Sequence, residues 1–256
     1  MTDTDDKKNR ARLSSSAREA MLERRLLAGS PPEALPELPG ARESAASLGE
    51  APRDLRHLLW CSIGGDESRD LSQLSVAETL PGGAAKILIA IADVDALVNQ
   101  HTSLNPGADR LAIVIEMVFA GDGALQSSDL YGAQVRSQAK LAYNSVGGWL
   151  EGNGPMPPEI GTVSGLSANL RLQDRVALRV KTLRHQRGAL DPKMCEPRPV
   201  YAGDEPKDLG VENRSRAKDI IEDFMLAASR VAARCLAANK VSSLRRAVRA
   251  CQLLRC

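Results

Sequence analysis

The sequence is short of the residues on which many enzyme sites depend. Aromatic residues make up 3% of the 256-residue chain, and its three histidines, His57, His101 and His185, are far apart. The five cysteines form no CxxC pair and show no ligand-like spacing. A histidine-based zinc site is therefore not expected. Because the first 30 residues contain no signal peptide, we predict free thiols and a cytoplasmic protein.

Long apolar runs and common catalytic motifs are also missing. The most apolar segment, ILIAIADVDALV, is too short to span a bilayer and carries Asp93 and Asp95. No membrane partner is predicted. The chain has no P-loop, no GxSxG, no GxGxxG and no internal repeat. Since 43% of its residues are apolar, the sequence allows a core, which must be mostly aliphatic and rich in alanine.

The basic residues are concentrated near one end of the chain. The formal net charge is only +2, yet residues 233–256 contain no acid and six bases: Arg234, Lys240, Arg245, Arg246, Arg249 and Arg255. A block of one sign favours nucleic acid or an acidic surface, and the alternative is a solvated helix face. Within residues 237–256, an apolar stripe lies opposite the arginines and comprises Val241, Leu244, Val248 and Cys251. We therefore predict a basic amphipathic tail that binds RNA or docks on a protein partner.

The first 50 residues read as a polar leader. The segment SPPEALPELPG cannot continue a helix, because proline lacks the amide donor and clashes with the preceding turn. We predict that residues 1–50 are largely disordered, with a short helix in SAREAMLERRLLAG. The ordered domain is then expected over residues 51–236.

Two buried or half-buried strand patterns follow. KILIAIADV is a β-branched run typical of a buried strand. RLAIVIEMVFAGDGALQSSDLYGAQVRS predicts two strands joined at Gly121-Asp122-Gly123. Together with the helices below, these strands predict an α+β fold, in which a mixed or antiparallel sheet is flanked by helices.

Three helices are predicted after the strands. Ser137 is expected to cap the first, whose inner face would be Ala142, Val146, Trp149 and Leu150. Gly147 and Gly148 would weaken that helix by roughly 1 kcal/mol each relative to alanine. The second has a stripe at Leu172, Val176, Val180 and Leu183. The third covers about Asn213 to Leu236, with its stripe at Ala217, Ile220, Ile221, Phe224, Ala228, Val231, Ala232 and Cys235.

Five segments occur in an order that matches one family. They are DLRHLLWCSIGGDESRDLSQLSVAE, ILIAIADVDALV, DRLAIVIEMVFAGDGALQSSDLYGAQVRSQAKLAYNSVGGWLEG, RHQRGALD and NRSRAKDIIEDFMLAASRVAARCLA. From about Asp54 to Leu236 the chain resembles the RNB catalytic domain of the ribonuclease II family. The resemblance implies a partial RNB-type domain and a hydrolase that removes nucleotides 3′→5′ from single-stranded RNA. It also implies Mg²⁺, which prefers oxygen ligands and binds through carboxylates and substrate phosphates.

The acidic loop of the family is incomplete in CSIGGDESRDLSQL. The family pattern is T/S-I-D, five residues, then D-x-D-D. Ser62-Ile63 match its start, and Asp70 retains its second aspartate, whereas the other three aspartate positions hold Gly64, Ser72 and Gln73. The resemblance implies that Asp70 is the catalytic and metal-binding residue. Asp66 and Glu67 sit between the motif positions but lie nearby, so Asp66 is predicted as a recruited further ligand. We expect weak Mg²⁺ binding and impaired hydrolysis, although Asp70 can also be read as a loop aspartate that accepts local amide bonds.

RNA-binding residues are implied at two further family positions. Tyr143, in KLAYNSVGGWL, matches the family's tyrosine and could stack on a base or donate to a phosphate. Glu222, in IIEDFM, matches a glutamate near the ribose and could accept from a 2′-hydroxyl. The alternatives are helix packing for Tyr143 and a surface acid paired with Lys218 for Glu222. The tail arginines Arg245 and Arg246 are predicted to add RNA contacts.

Two departures from the family leave the function open. The connection ALVNQHTSLNPGADRLA is shorter than the family's, and the chain stops near SSLRRAVRACQLLRC, before the family's catalytic arginine. We therefore expect an exoribonuclease with impaired catalysis. A non-catalytic RNA-binding remnant, a partner-docking fragment and a poorly folding product of a degraded gene are the alternatives. Clustering of Asp66, Glu67, Asp70 and Glu222 around one cavity would favour the metal site.

Overall fold

The computed structural model describes residues 15–16, 18–24, 51–65, 68, 70–93, 103–189, 197–202, 205–211 and 214–243. The chain divides into two compact units. One comprises Met1–Ser47, Asp95–Asn99 and Leu190–Arg214, and the other comprises Leu48–Val94, Gln100–Ala189 and Ser215–Cys256.

The larger unit contains a mixed seven-stranded sheet. Its strands are β1 (Arg53–Asp54), β2 (Cys61–Gly64), β3 (Gln73–Thr79), β4 (Ala85–Ala92), β5 (Asp109–Phe119), β6 (Leu125–Arg136) and β7 (Ala139–Ala142). The spatial order is β1-β6-β5-β4-β3-β2-β7. The pairs β1–β6 and β2–β7 are parallel, and the four other pairs are antiparallel. The sheet confirms the predicted fold class.

The central strands are those that the sequence predicts best. β4 pairs over its whole length with β5 and from Ala85 to Ile91 with β3, and Ile87 to Ala90 are all buried. The β5–β6 hairpin turns at the predicted Gly121-Asp122-Gly123, where the Asp122 carboxylate accepts from the Ala124 amide at 2.9 Å. Gly123 has φ +88°, and a Cβ there would come within 2.6 Å of the Arg179 carbonyl group. Only glycine fits this turn.

Four helices belong to the same unit: α1 (Tyr143–Glu151), α2 (Pro158–Thr162), α3 (Leu166–Gln186) and α4 (Arg216–Ala238). They contribute to a core with one face of the sheet, which includes Ile87 and Ile89. Leu88 and Ala90 belong to a second cluster with Trp60. Because alternate residues of a strand point to opposite faces, the two clusters lie on the two faces of the sheet.

The predicted helix cap at Ser137 is wrong. The helix begins at Tyr143, with Ala142 as its N-cap residue. Residues Ala139–Ala142 instead pair in parallel with Cys61–Gly64 as strand β7, and Ser137 donates its hydroxyl to the Ala139 carbonyl at 3.3 Å. The local capping signal is overridden because these residues complete the edge of the sheet. The predicted inner face is confirmed at Val146 and Trp149, which are buried.

The second and third predicted helices are confirmed as α3 and α4. On α3, Val176 is buried and Leu172 and Val180 are partly buried. On α4, Ser215 caps the first turn by accepting from the Lys218 amide. The predicted α4 stripe is buried from Ala217 to Val231. It also includes Asp223, which was not expected there.

The smaller unit contains an unpredicted hairpin. Strands β8 (Pro197–Ala202) and β9 (Glu205–Val211) pair antiparallel. Residues 18–23 are helical, within the leader segment for which a short helix is predicted. The rest of the predicted leader, residues 1–14, 17 and 25–50, lies outside the described residues. No helix in the described ranges is both long and apolar enough to cross a bilayer.

Candidate functional site

One edge of the sheet brings the acidic loop next to Tyr143. β2 and β7 are parallel, and their last residues, Gly64 and Ala142, are register partners. Tyr143 follows at once as the first residue of α1. β3 starts at the same edge with Gln73, which pairs with Ile91 near the end of β4. We call this edge, defined by Gly64, Gln73, Ala92 and Tyr143, the site edge.

The second half of the loop is held by backbone contacts. The Ser72 carbonyl accepts from the Ala92 amide at 3.0 Å. Leu71 is buried, and its amide donates to the Ser103 hydroxyl at 3.0 Å, while its carbonyl accepts from the Leu104 amide at 2.8 Å. Asp70, next to this anchor, is exposed. The second half of the loop is therefore anchored by hydrogen bonds to Ala92 at the end of β4 and to Ser103 and Leu104.

The described residues do not fit a magnesium site. Within the described part of the chain, no three His, Cys, Asp or Glu side chains are grouped so that they could hold a metal ion. Asp70 is the one described acid at a motif position, and Asp66 and Glu67 lie outside the described residues. Ser72 and Gln73 offer neutral oxygens, which are poorer partners for a hard divalent cation than carboxylates.

The missing carboxylate at position 64 does not result from a lack of space. A Cβ built on Gly64 would meet nothing closer than Ser68, at 3.9 Å. This distance is an ordinary van der Waals contact, so the backbone at the end of β2 can carry a side chain. The scaffold of the loop is thus compatible with an aspartate that the sequence lacks.

Lys140, in β7 two residues before the site edge, was not singled out in the sequence. Its ammonium group donates to the Ser68 carbonyl at 2.6 Å, and Lys140 is the register partner of Ser62 in β2. The bond places a cation against the loop backbone. The signal in the sequence was present, because Lys140 belongs to the same KLAY segment as Tyr143.

Tyr143 and Glu222 lie on α1 and α4, the two helices that come together near Lys218. The Lys218 ammonium group, in the first turn of α4, lies 6.0 Å from the centroid of the half-buried Tyr143 ring, at the outer limit of a cation–π contact. Glu222 is exposed and lies one turn after Lys218 on α4. Two predicted RNA-binding residues thus occur on the two helices that meet at Lys218.

The close approach of α1 and α4 depends on Gly147. A Cβ at this position would lie 2.8 Å from the Ser215 Cβ, a distance at which atoms overlap. Gly147 is buried. The glycine that weakens α1 as an isolated helix is therefore what lets Tyr143 lie near the first turn of α4.

A partly buried ionic cluster, in which only Asp223 is fully buried, joins α3 to α4 away from the loop motif. Arg184 donates to the Asp223 carboxylate at 2.7 Å, and Lys181 donates to Asp219 at 2.8 Å. Burial raises the pKa of Asp223 to about 6, although Arg184 opposes this shift. The second Asp223 oxygen has no hydrogen-bond partner among the described residues. The sequence signal was an acid at a position inside an apolar helical stripe.

Other predicted residues are not brought to the site by the described structure. Asp66 and the tail residues Arg245 and Arg246 lie outside the described residues, so their roles stay predictions. Asp93 follows β4 at the site edge, and its amide donates to the Leu111 carbonyl at 3.5 Å.

Comparisons with known proteins agree on one family. The RNB domain family matches residues 95–253, which is more than half of the chain and starts after the acidic loop. Exoribonuclease 2 of Salmonella typhimurium is 28% identical over 222 aligned positions, covering 72% of this chain and 33% of that protein. The chain thus spans about a third of the length of this curated relative.

Solved structures share the fold. RNase R of Mycoplasma genitalium in complex with double-stranded RNA has a TM-score of 0.73 at 20% identity, covering 86% of this chain and 44% of that one. The same enzyme in complex with ribose methylated single-stranded RNA has a TM-score of 0.65 at 21% identity, covering 79% and 37%. On the match to more than half of its residues, supported by the shared α+β fold, this chain belongs to the RNB domain family of the ribonuclease II type.

Proposed function

We propose that this chain binds single-stranded RNA at the site edge and that its Mg²⁺-dependent 3′→5′ hydrolysis is weak or absent. The observation that carries the proposal is the contrast between two halves of the site. Tyr143 on α1 lies near Lys218 on α4, which also carries the exposed Glu222, whereas the described loop offers Asp70 alone as a motif carboxylate.

The side chains near the site edge match the groups of an RNA strand. The Tyr143 ring offers a stacking surface for a base, and the Glu222 carboxylate can accept from a 2′-hydroxyl. Lys140 and Lys218 carry ammonium groups that can neutralise phosphates. RNase R, whose fold is similar to that of this chain, was solved with ribose methylated single-stranded RNA.

The hydrolytic part of the proposal follows from the charge of the loop. The resemblance implies a metal held by several acids, and charge neutralisation by a divalent cation requires anionic ligands to retain it near an anionic substrate. With neutral residues at positions 64, 72 and 73, we expect poor Mg²⁺ retention. Since the chain spans about a third of its curated relative, activity of the whole relative is not transferred to it.

The binding experiment measures anisotropy of a labelled single-stranded RNA and of DNA with the same sequence. Tyr143→Leu should weaken binding of both by about 1–3 kcal/mol, and Tyr143→Phe, which keeps the ring, should lose less. Glu222→Gln should reduce the preference for RNA over DNA. Equal binding by the wild type and by Tyr143→Leu and Glu222→Gln would exclude the site edge as the RNA site.

The hydrolysis experiment measures RNA shortening and Mg²⁺ affinity in variants of the acidic loop. We expect negligible shortening of the RNA by the wild type in Mg²⁺, and a gain in calorimetric Mg²⁺ affinity when Gly64→Asp, Ser72→Asp and Gln73→Asp are combined. Adding Asp70→Asn to that variant is the matched control and should remove most of the gain. Rapid wild-type shortening that disappears in Asp70→Asn would refute the claim of weak hydrolysis.

A further inference from the structure

The outer face of α3 carries a line of arginines that the site edge does not use. Arg171, Arg175 and Arg179 follow one another at four-residue spacing, and all three are exposed. Residues four apart lie on the same side of a helix, about 6 Å from one another along its axis. We call these three residues the arginine stripe.

The opposite face of α3 is fixed to the sheet. Its buried residues include Leu170, Gln173 and Val176. Gln173 accepts from the Ser75 hydroxyl at 2.8 Å, and Asn169 bonds the Ala77 backbone. The arginine stripe therefore lies on the exposed side of a helix whose opposite face is anchored to the sheet.

The acids near α3 are already paired with other bases. Asp174, the only acid of α3, accepts two bonds from Arg216 at 2.9 and 2.7 Å. On α4, Asp219 and Asp223 accept from Lys181 and Arg184. None of the three stripe arginines forms an ion pair with another residue of the described ranges. Their positive charge is therefore available to an external anion.

Two of the guanidinium groups are oriented in advance. The Arg171 guanidinium lies 4.6 Å from the centroid of the Trp149 ring, and Arg179 donates to the Gly83 carbonyl at 3.4 Å. Arg175 lies between them. A planar guanidinium that is already oriented loses less entropy when it binds a phosphate with two parallel hydrogen bonds.

We propose that the arginine stripe binds the sugar–phosphate backbone of an RNA strand at a surface additional to the site edge. The identity of the polyanion as RNA rests on the proposed function. The stripe favours a nucleic acid over an acidic protein because Leu178 is the one large apolar side chain exposed on described α3. The buried core of a protein–protein interface is typically more apolar than the rest of the surface, whereas binding to a phosphate backbone is mainly electrostatic.

The test compares two double variants with equal charge loss. Arg175→Gln/Arg179→Gln removes two stripe residues, and glutamine preserves helix propensity. The control, Arg18→Gln/Arg230→Gln, removes two other exposed arginines. Binding of labelled single-stranded RNA is measured by anisotropy between about 50 and 200 mM salt. The stripe variant should bind about tenfold more weakly at the low salt, with a salt slope shallower by about 1.4, since each phosphate contact contributes about 0.7.

The outcomes separate the stripe from the proposed function. If the stripe variant binds like the control while Tyr143→Leu is weakened, the stripe proposal is wrong and the site edge stands. If the stripe variant alone is weakened, the stripe is supported and the site edge is not. Loss of poly-glutamate binding with unchanged RNA binding would overturn the stripe proposal in favour of an acidic protein. No RNA binding by the wild type would overturn both, and thermal melting verifies that each variant is folded.

Discussion

At the scale of single residues, the acidic loop has lost side chains without losing its scaffold. Gly64 ends β2 in register with Ala142, and a Cβ would fit there. Ser72 still accepts a backbone bond from Ala92, so the start of β3 is held at the site edge. The chemistry of the loop is thus set by side-chain identity at three positions. The expectation of weak Mg²⁺ binding therefore depends on residue identities that the sequence alone provides.

Asp223 is the residue at which folding should respond most clearly to pH. Its pKa of about 6 in the folded protein lies above the value near 4 of an unfolded aspartate. Between these values the folded state holds more protons than the unfolded state, so stability falls as pH rises from about 4 to 6. Above pH 6 the full cost of the buried charge is present.

The variant Asp223→Asn should remove this dependence. Relative to the wild type, its free energy of unfolding should increase by on the order of 1–3 kcal/mol between pH 4 and pH 7. Urea unfolding at several pH values measures the difference. Glu159→Gln, at an exposed acid of α2, is the control and should show no comparable trend. A constant difference between Asp223→Asn and wild type across that range would mean that Asp223 does not titrate there.

At the scale of elements, the contact between α1 and α4 determines how an alanine at each of two adjacent glycines, Gly147 and Gly148, would affect stability. Gly147→Ala brings a Cβ to 2.8 Å from the Ser215 Cβ, whereas a Cβ at Gly148 would meet nothing closer than 3.9 Å. Alanine improves either helix position by about 1 kcal/mol in isolation. Overpacking typically costs 1–3 kcal/mol, so at Gly147 the clash should exceed that gain.

We therefore expect Gly147→Ala to lower the free energy of unfolding by up to about 2 kcal/mol and Gly148→Ala to raise it by up to about 1 kcal/mol. Thermal and urea unfolding of the two variants provide the measurement. Gly147→Ala should also weaken RNA binding, because it separates Tyr143 from the first turn of α4. If both substitutions stabilise α1 equally, the tight packing against Ser215 is incorrect.

The elements that the sequence predicted are those whose signal is local. β4 and the β5–β6 turn were predicted because a β-branched run and a Gly-Asp-Gly turn act within a few residues. β7 was missed, since Ala139–Ala142 is a strand only through pairing with β2. The β8–β9 hairpin contains Pro197, Pro199 and Pro206, which weaken any strand signal.

In the candidate site, too, features with a local sequence signal were predicted and features that depend on tertiary packing were not. Asp70, Tyr143 and Glu222 were singled out through a family resemblance carried by local motifs. The Lys140–Ser68 bond and the approach of Lys218 to Tyr143 join residues far apart in sequence. Neither could be predicted from spacing, because each depends on how the strands and helices pack.

At the scale of the whole molecule, the chain is nearly neutral, but its positive charges are concentrated at its C-terminal end. After Asp223 the sequence contains no acid, and residues 244–256 carry Arg245, Arg246, Arg249 and Arg255. These four arginines exceed the formal net charge of +2. Their removal would make the chain net negative and reverse its long-range attraction for a polyanion.

The proposed role of the tail can be tested by separating its charge from its apolar stripe. Replacing the four arginines with glutamine keeps Leu244, Val248 and Cys251, whereas truncation after Ser243 removes both features. If the tail binds RNA, the four-glutamine variant and the truncation should weaken RNA binding to the same extent. Both should make the salt slope shallower by up to about 2.8, at 0.7 for each phosphate contact.

If the tail docks on a protein, only the truncation should have an effect. Light scattering should then show a changed oligomeric state or solubility, and the salt slope of RNA binding should stay the same. Arg18→Gln/Arg230→Gln serves again as the control for loss of positive charge elsewhere. An identical salt slope for the wild type and the four-glutamine variant would rule out phosphate contacts by Arg245 and Arg246, because released counterions must appear in that slope whenever an arginine neutralises a phosphate.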